Sequence, residues 1–413
     1  MANVLGVYVH IPFCKSKCDY CDFYSLPAGE ELMDRYQKAL LTQMKSLVPR
    51  LKGRTVDTIY FGGGTPSYYG EKRLRELLGY LQRHLNVARG AEITVECNPD
   101  TVDRKSMVRL RRAGVNRISL GMQSADPEQL KCIHRIHDPQ QVIWAVEDIR
   151  AAKIDNLSLD LIYGLPGQSM DSWRDTVRTA LSLHPDHLSC YGLKVEAGTP
   201  LARRVDGGDN IDLPDGDCQA DFYLEAVDRI QEAGFRQYEI SNFARTGMES
   251  RHNLKYWMGR EYVGFGPGAH SYLNGLRYAY PKDLEHYLES LEAGESVALS
   301  ESEAIPPREQ AREYLLLRMR TLRGVEEWEY RRSFGLNFEP IARRLEFFES
   351  HRWTEQSDHR WHFTPQGFLL SNSLIADLLD VQAGTLNEQK IDWEALRPPV
   401  QEPKFLNRWR NST

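Results

Sequence analysis

An α/β fold with parallel strands, curled into a partial TIM-like (β/α)6 barrel, is what the first 243 residues predict. Three observations lead there. Short runs rich in β-branched and aromatic residues alternate with segments of helical spacing. Several of those helical segments stop at glycine, as in "RRAG" (111–114) and "QEAG" (231–234), where a left-handed C-terminal residue needs no Cβ. Polar and reactive residues also gather where successive strands end. That is how a barrel mouth is furnished, whereas an open doubly wound sheet concentrates them at one switch point. Strand–helix alternation then implies right-handed crossovers between parallel strands.

The strand-like runs are, in order, "VLGVYVH" (4–10), "TVDTIYF" (55–61), "AEITVEC" (91–97), "VNRISLG" (115–121), "NLSLDLIYG" (156–164), "HLSCYGL" (187–193) and "QYEISNF" (237–243). Between them the spacing predicts helices over 31–48, 72–85, 103–113, 139–152, 170–183 and 217–233. A cysteine cluster follows the first run and "GGGTP" the second. Glu96 closes the third, Gln123 follows the fourth, and Asp160 lies in the fifth. From about residue 308 the pattern changes. "REQAREYLLLRMRTLRG", "VEEWEYRRSFG" and "NFEPIARRLEFFESH" read as helices, "RWTEQSDHRWHFT" as a hairpin turning at Ser357–Asp358, and "GFLLSNSLIADLL" as a closing helix. The expected organisation is therefore a core domain at 1–243, a connecting segment at 244–307, a mostly helical, winged-helix-like domain at 308–380 and a flexible tail at 381–413.

Bulk properties narrow the class. A net charge of −6 disfavours a nucleic-acid binder, and the C-terminal helices mix Arg with Glu rather than presenting a basic face. A lid or partner-docking module fits them better. Seven cysteines without a disulfide-like spacing point to a reducing compartment. The opening "MANVLGVYVHIPF" lacks a basic n-region and a cleavage site, and no run approaches the ~18 apolar residues of a membrane span. The expectation is a cytoplasmic protein.

The sharpest motif is "CKSKCDYC", with Cys14, Cys18 and Cys21. A buried helix face is disfavoured by Pro12 upstream and by the polar residues between the thiols. Zinc, with His10 or an outside residue as fourth ligand, is one alternative. The other is an iron–sulfur cluster with three protein ligands and one open iron, because thiolates bind iron softly and neutralise cluster charge.

Together "VYVHIPFC", "CKSKCDYC", "YFGGGTPS", "LGMQS", "LDLIYGLPGQ" and "GFGPGAHSY" resemble the radical S-adenosylmethionine (SAM) superfamily, in its anaerobic coproporphyrinogen III oxidase-like family. The likeness spans roughly residues 4–380 and is strongest to the haem-chaperone branch. It implies a [4Fe–4S] cluster on Cys14, Cys18 and Cys21, whose open iron is chelated by the amino and carboxylate groups of SAM. It further implies SAM contacts by Gly63, Gly64, Thr65 and Glu96, with Tyr8 near the cluster and SAM. Gln123, Arg135 and Asp160 match positions that contact a second SAM in the oxidase. Arg135 and Asp160 read equally as a salt bridge between loops, and Tyr191 as an adenine-side residue. "HNLKYW" (252–257) matches the H-N-x-x-Y-W signature of the haem-chaperone branch, which makes His252 the expected haem contact. His270 is the rival, and His137 has no clear role.

Two departures separate this sequence from the oxidase. Phe23 stands where the oxidase has a fourth cysteine, and the oxidase's long N-terminal extension has no counterpart before the first strand. The resemblance thus implies a haem chaperone that delivers haem to membrane respiratory enzymes through peripheral contact, with homodimerisation one form of regulation. An oxygen-independent coproporphyrinogen III dehydrogenase is the alternative, and its activity is not expected.

Overall fold

Apolar residues occupy alternate positions along the early strands, and the architecture follows from where that face goes. The computed structural model describes residues 4–209 and 211–388. Strands β1 (Val4–Ile11), β2 (Thr55–Gly63), β3 (Asn86–Cys97), β4 (Arg117–Gln123), β5 (Asn156–Tyr163) and β6 (His187–Gly192) pair in parallel in that order. The crossovers are helices α1 (Glu30–Leu47), α2 (Glu71–His84), α3 (Arg104–Ala113), α4 (Pro139–Ala151) and α5 (Met170–Ser182), with α6 (Gly216–Glu232) after β6. All six helices start and stop within a residue of the predicted bounds.

Val7 and Val9 of β1, Ile93 and Val95 of β3, Ile118 and Leu120 of β4, and Leu157 and Leu159 of β5 share one continuous core with Leu40, Leu77, Leu110 and Val177 of the helices. Each such side chain contributes about 1.5–3 kcal/mol on burial. The alternate positions are Tyr60, Glu96, Arg117, Ser119, Asp160 and Ser189, which face one cavity of about 430 Å³. A parallel sheet sandwiched between helices would be apolar on both faces. Here one face meets helices and the other a polar interior. Tyr60 of β2 and Tyr191 of β6 line the same cavity, whereas a flat sheet at ~4.8 Å per strand would set them ~19 Å apart. The sheet is curled, as the partial barrel requires.

The seventh run is not one strand. It divides into β7 (Arg236–Gln237) and β8 (Asn242–Ala244), which pair antiparallel, with β8 also antiparallel to β6. The buried Glu239 turns the chain between them by accepting from Ser241 N at 3.3 Å and from the Asn242 amide. The stretch expected as a connecting segment instead extends the same sheet. After α7 (Arg251–Trp257), strand β9 (Tyr262–Phe265) lies parallel to β1, and β10 (His270–Leu273), β11 (Leu276–Ala279) and β12 (Glu301–Ala304) continue antiparallel around α8 (Leu284–Glu292).

The C-terminal domain comprises α9 (Pro307–Arg318), β13 (Val325–Glu326), α10 (Glu327–Phe334), α11 (Glu339–Ser350), β14 (Thr354–Ser357), β15 (Arg360–Phe363) and α12 (Ser371–Glu388). Val325–Glu326, expected as helix, forms a third strand against Trp361 and Arg360. Helix α12 runs past the expected boundary at 380. Its buried Gln382 donates to Ala311 O at 3.0 Å and to Tyr330 Oη at 2.7 Å, which ties it to the domain core. The remainder of the expected tail, 389–413, lies outside the described residues. Ion pairs at helical spacing, Glu327–Arg331 and Glu339–Arg343, set one arginine of α10 and one of α11 against a carboxylate. Backbone bonds from Ile240 N to Arg320 O and from Leu322 N to Tyr238 O join this domain to the barrel. Among the described residues no helix is long and apolar enough to cross a membrane.

Candidate functional site

The cavity lies where β1 to β6 end. Phe13–Cys14 pairs with Leu26–Pro27, closing the cysteine loop into a short parallel ladder. The loop is tied down further by Asp19 N on Ile133 O at 3.2 Å and by Arg204 donating to the Asp19 carboxylate at 2.8 Å. Cys14, Cys18 and Cys21 all face the cavity. Burial raises the Cys14 thiol above its ordinary value and pushes Cys21 up to about 11. A chain of donors runs the other way. Arg135 Nη1 donates to Cys18 Sγ at 3.5 Å, and Nη2 to Asn98 Oδ1 at 2.9 Å. Asn98 Nδ2 donates to Thr65 Oγ1 at 3.2 Å, and Thr65 Oγ1 to Cys14 Sγ at 3.4 Å. Donors aimed at sulfur favour the thiolate form that binds metal.

The donor set fits a [4Fe–4S] cluster better than zinc. Among the described residues no three His, Cys, Asp or Glu side chains gather closely enough to hold one ion. His10, the suggested fourth zinc ligand, is fully engaged: Tyr8 Oη lies 3.0 Å from its Nδ1, and its Nε2 lies 2.9 Å from Tyr24 O. Burial keeps that imidazole neutral, lowered to about 4. Three thiols lining one cavity suit a cluster, where each binds a separate iron.

"GGGT" is needed for the fold before any ligand arrives. Gly63 sits at φ +117°, and a Cβ on Gly64 would fall 2.7 Å from Phe13 O. Gly64 N donates to Ile11 O at 2.8 Å and Thr65 N to Phe13 O at 2.7 Å. Gly63 N donates to Glu96 Oε2 at 3.0 Å, while Tyr60 Oη donates to Glu96 Oε1 at 2.7 Å. These N–H groups are therefore spent within the protein, and the segment's acceptors are what suit an amino group. Glu96 is not a solvated strand end: burial pushes its carboxyl up to about 7, Asp160 adding to the rise.

Asp160 accepts from Ser189 Oγ at 2.7 Å, Ser119 Oγ at 2.9 Å and Ser158 Oγ at 3.2 Å. Burial still raises its carboxyl above the usual range. It does not pair with Arg135, so the expected alternative of a salt bridge between them is not what the fold builds. Gln123 ends β4 at φ +63°, a conformation costing about 1–3 kcal/mol for a non-glycine residue. Its side chain, with Arg135, Asp160 and Tyr191, lines the cavity.

Two expected site residues lie elsewhere. Tyr8 lines a neighbouring cleft, its ring stacked on Tyr60 at 6.2 Å. His252 is 1% exposed, with Nδ1 at 2.8 Å from Thr58 Oγ1 and Nε2 at 2.9 Å from Tyr256 Oη. Both ring nitrogens are occupied, and burial lowers the imidazole to about 3. Its ring stacks on that of Tyr60 at 5.2 Å. His137 Nε2 lies 3.2 Å from Met122 O, and its buried Nδ1 has no hydrogen-bond partner among the described residues.

Tyr60, Asn98, Arg117, Ser119 and Ser189 line the cavity without having been singled out from the sequence. Four of the five were legible by period two, because Tyr60, Arg117, Ser119 and Ser189 fall in step with the inward positions of their strands. Asn98 lies beyond β3 and carries no such signal.

Residues 8–180 match the Radical SAM superfamily and residues 305–370 the HemN C-terminal domain. Three relatives, each named "Heme chaperone HemW", are similar over most of the chain. The Bacillus subtilis protein is 34% identical and covers 91% of this chain and 99% of its own length. The Escherichia coli protein is 35% identical over 90% and 97%. That of Mycobacterium tuberculosis is 41% identical over 78% and 82%. Among solved structures, coproporphyrinogen III oxidase (HemN) from Escherichia coli superposes with a TM-score of 0.79 at 22% identity, covering 91% of this chain and 90% of its own. At that identity the likeness speaks for the fold. With a thiolate-lined cavity at the mouth of a partial barrel, and relatives above 30% identity along nine-tenths of its length, the chain belongs to the heme chaperone HemW family of radical SAM proteins.

Proposed function

We propose that this chain binds haem and hands it to respiratory haem proteins, on a scaffold that carries a [4Fe–4S] cluster and SAM. The similarity to heme chaperones along nearly the whole chain carries this reading. Cys14, Cys18 and Cys21 would hold three of the irons. Glu96 and the acceptors of Gly63, Gly64 and Thr65 suit the methionyl end of SAM, and Gln123, Arg135 and Asp160 line the same cavity. When bound, the cluster and SAM supply one-electron chemistry. The protein's own part is to position and enclose them, and the donors on Cys14 and Cys18 tune the thiolates.

Oxidative decarboxylation is not proposed, because Phe23, exposed just past the cysteine loop, stands where the oxidase-like pattern has a cysteine. The working place proposed is the cytoplasmic side of a membrane, reached through peripheral contact; a homodimer is compatible with it. Haem-loaded protein mixed with a haem-free respiratory cytochrome subunit should pass its haem on, read as the shift of the Soret band to that of the acceptor. Haem that stays with the donor at equilibrium, whatever the state of cluster and SAM, would refute the reading.

A further inference from the structure

We propose that the haem sits in a second cleft beside the cluster cavity, with His270 as ligand to its iron. This rests on the haem-carrying function argued above. The cleft measures about 310 Å³ and is walled chiefly by Phe23, Tyr24, Tyr256, Tyr262, His270 and Lys282. Its lining suits a flat, apolar molecule with an open metal position and anionic edges.

His270 opens β10 and is exposed, and no hydrogen bond of its ring is found among the described residues. A neutral imidazole with a free nitrogen is what haem iron takes as a protein ligand. The other histidines of the region fail that requirement. His10 bridges Tyr8 and the Tyr24 carbonyl, and His252 bridges Thr58 and Tyr256, so each has both ring nitrogens engaged. Lys282 is exposed at the rim, close to the Gly268 backbone that leads into His270. Its ammonium provides a charge-assisted partner for a propionate.

Phe23 supplies the apolar face. It is 64% exposed, although burying such a ring contributes about 1.5–3 kcal/mol. A porphyrin laid across it would remove that surface from water, with Tyr24 and Tyr262 as further aromatic walls. The cleft is at the small end of the roughly 300–1,000 Å³ typical of ligand sites, so part of a porphyrin stays outside, as release to an acceptor requires. Asp22 and Phe23 line both this cleft and the cluster cavity. Haem seated here touches the loop that carries Cys21, giving cluster state and haem occupancy one shared element.

Haem titration of the reconstituted protein, followed in the Soret region, tests the assignment. His270→Ala should weaken binding about tenfold or more and move the Soret band, with free imidazole restoring the wild-type spectrum. Lys282→Gln should weaken binding without changing the spectrum. His252→Gln, which keeps a hydrogen-bonding group for Thr58 and Tyr256, should retain the wild-type spectrum. Unchanged affinity and spectrum in His270→Ala, or loss of iron ligation in His252→Gln alone, overturns the site. Wild-type protein that takes up no haem overturns the proposed function with it, so the two failures are distinct.

Discussion

Serine at Cys14, Cys18 or Cys21 is expected to leave the protein with background iron and sulfide after anaerobic reconstitution, whereas serine at Cys218 leaves both unchanged. The contrast is one of environment. The three loop thiols open into one cavity and two of them accept side-chain hydrogen bonds, from Thr65 and from Arg135. Cys218 is exposed in the first turn of α6 and belongs to no such group. A cluster with three protein ligands has none to spare, so each loss acts alone rather than adding a third of the effect. Metal and sulfide analysis reads the result directly. Full cluster content in any single loop variant contradicts the ligand assignment.

Gly64→Ala should be strongly damaging to the barrel. A Cβ there would meet Phe13 O at 2.7 Å and Phe13 C and N at 2.9 Å. These are backbone atoms of the residue before Cys14, held by the ladder to Leu26 and by Thr65 N. They cannot step aside as the end of a flexible side chain would. Overpacking of this kind costs about 1–3 kcal/mol, and rigid neighbours put the cost at the upper end. The strain falls on the cysteine loop, so cluster retention should drop along with the melting temperature. Gly29→Ala is the control, because nothing lies within 4 Å of its Cβ position. Equal melting temperatures for the two variants would show that the close approach is not required.

The barrel was legible because its helices are amphipathic and its strands alternate over most of their length, and both periods survive in a single sequence. The cysteine loop was legible because ligand spacing is local. What escaped had non-local causes. The break in "QYEISNF" depends on Glu239 turning back on Asn242, and strand Val325–Glu326 exists only because Trp361 and Arg360 pair with it. The surroundings of His252 were hidden for a related reason. Its motif marks it as special, yet whether an imidazole faces a ligand or braces a tyrosine depends on Thr58 and Tyr256 closing over it. Arg117, 1% exposed in the cavity wall, shows the reverse case: an inward strand position that period two alone could have flagged.

The central claim is that a site built like that of a radical SAM enzyme serves a haem carrier. The most direct measurement offers reconstituted protein, reductant and SAM either haem or coproporphyrinogen III under anaerobic conditions. Stoichiometric haem binding and no tetrapyrrole conversion are expected. Formation of protoporphyrinogen IX, with loss of two carboxyl groups per porphyrinogen, would contradict it.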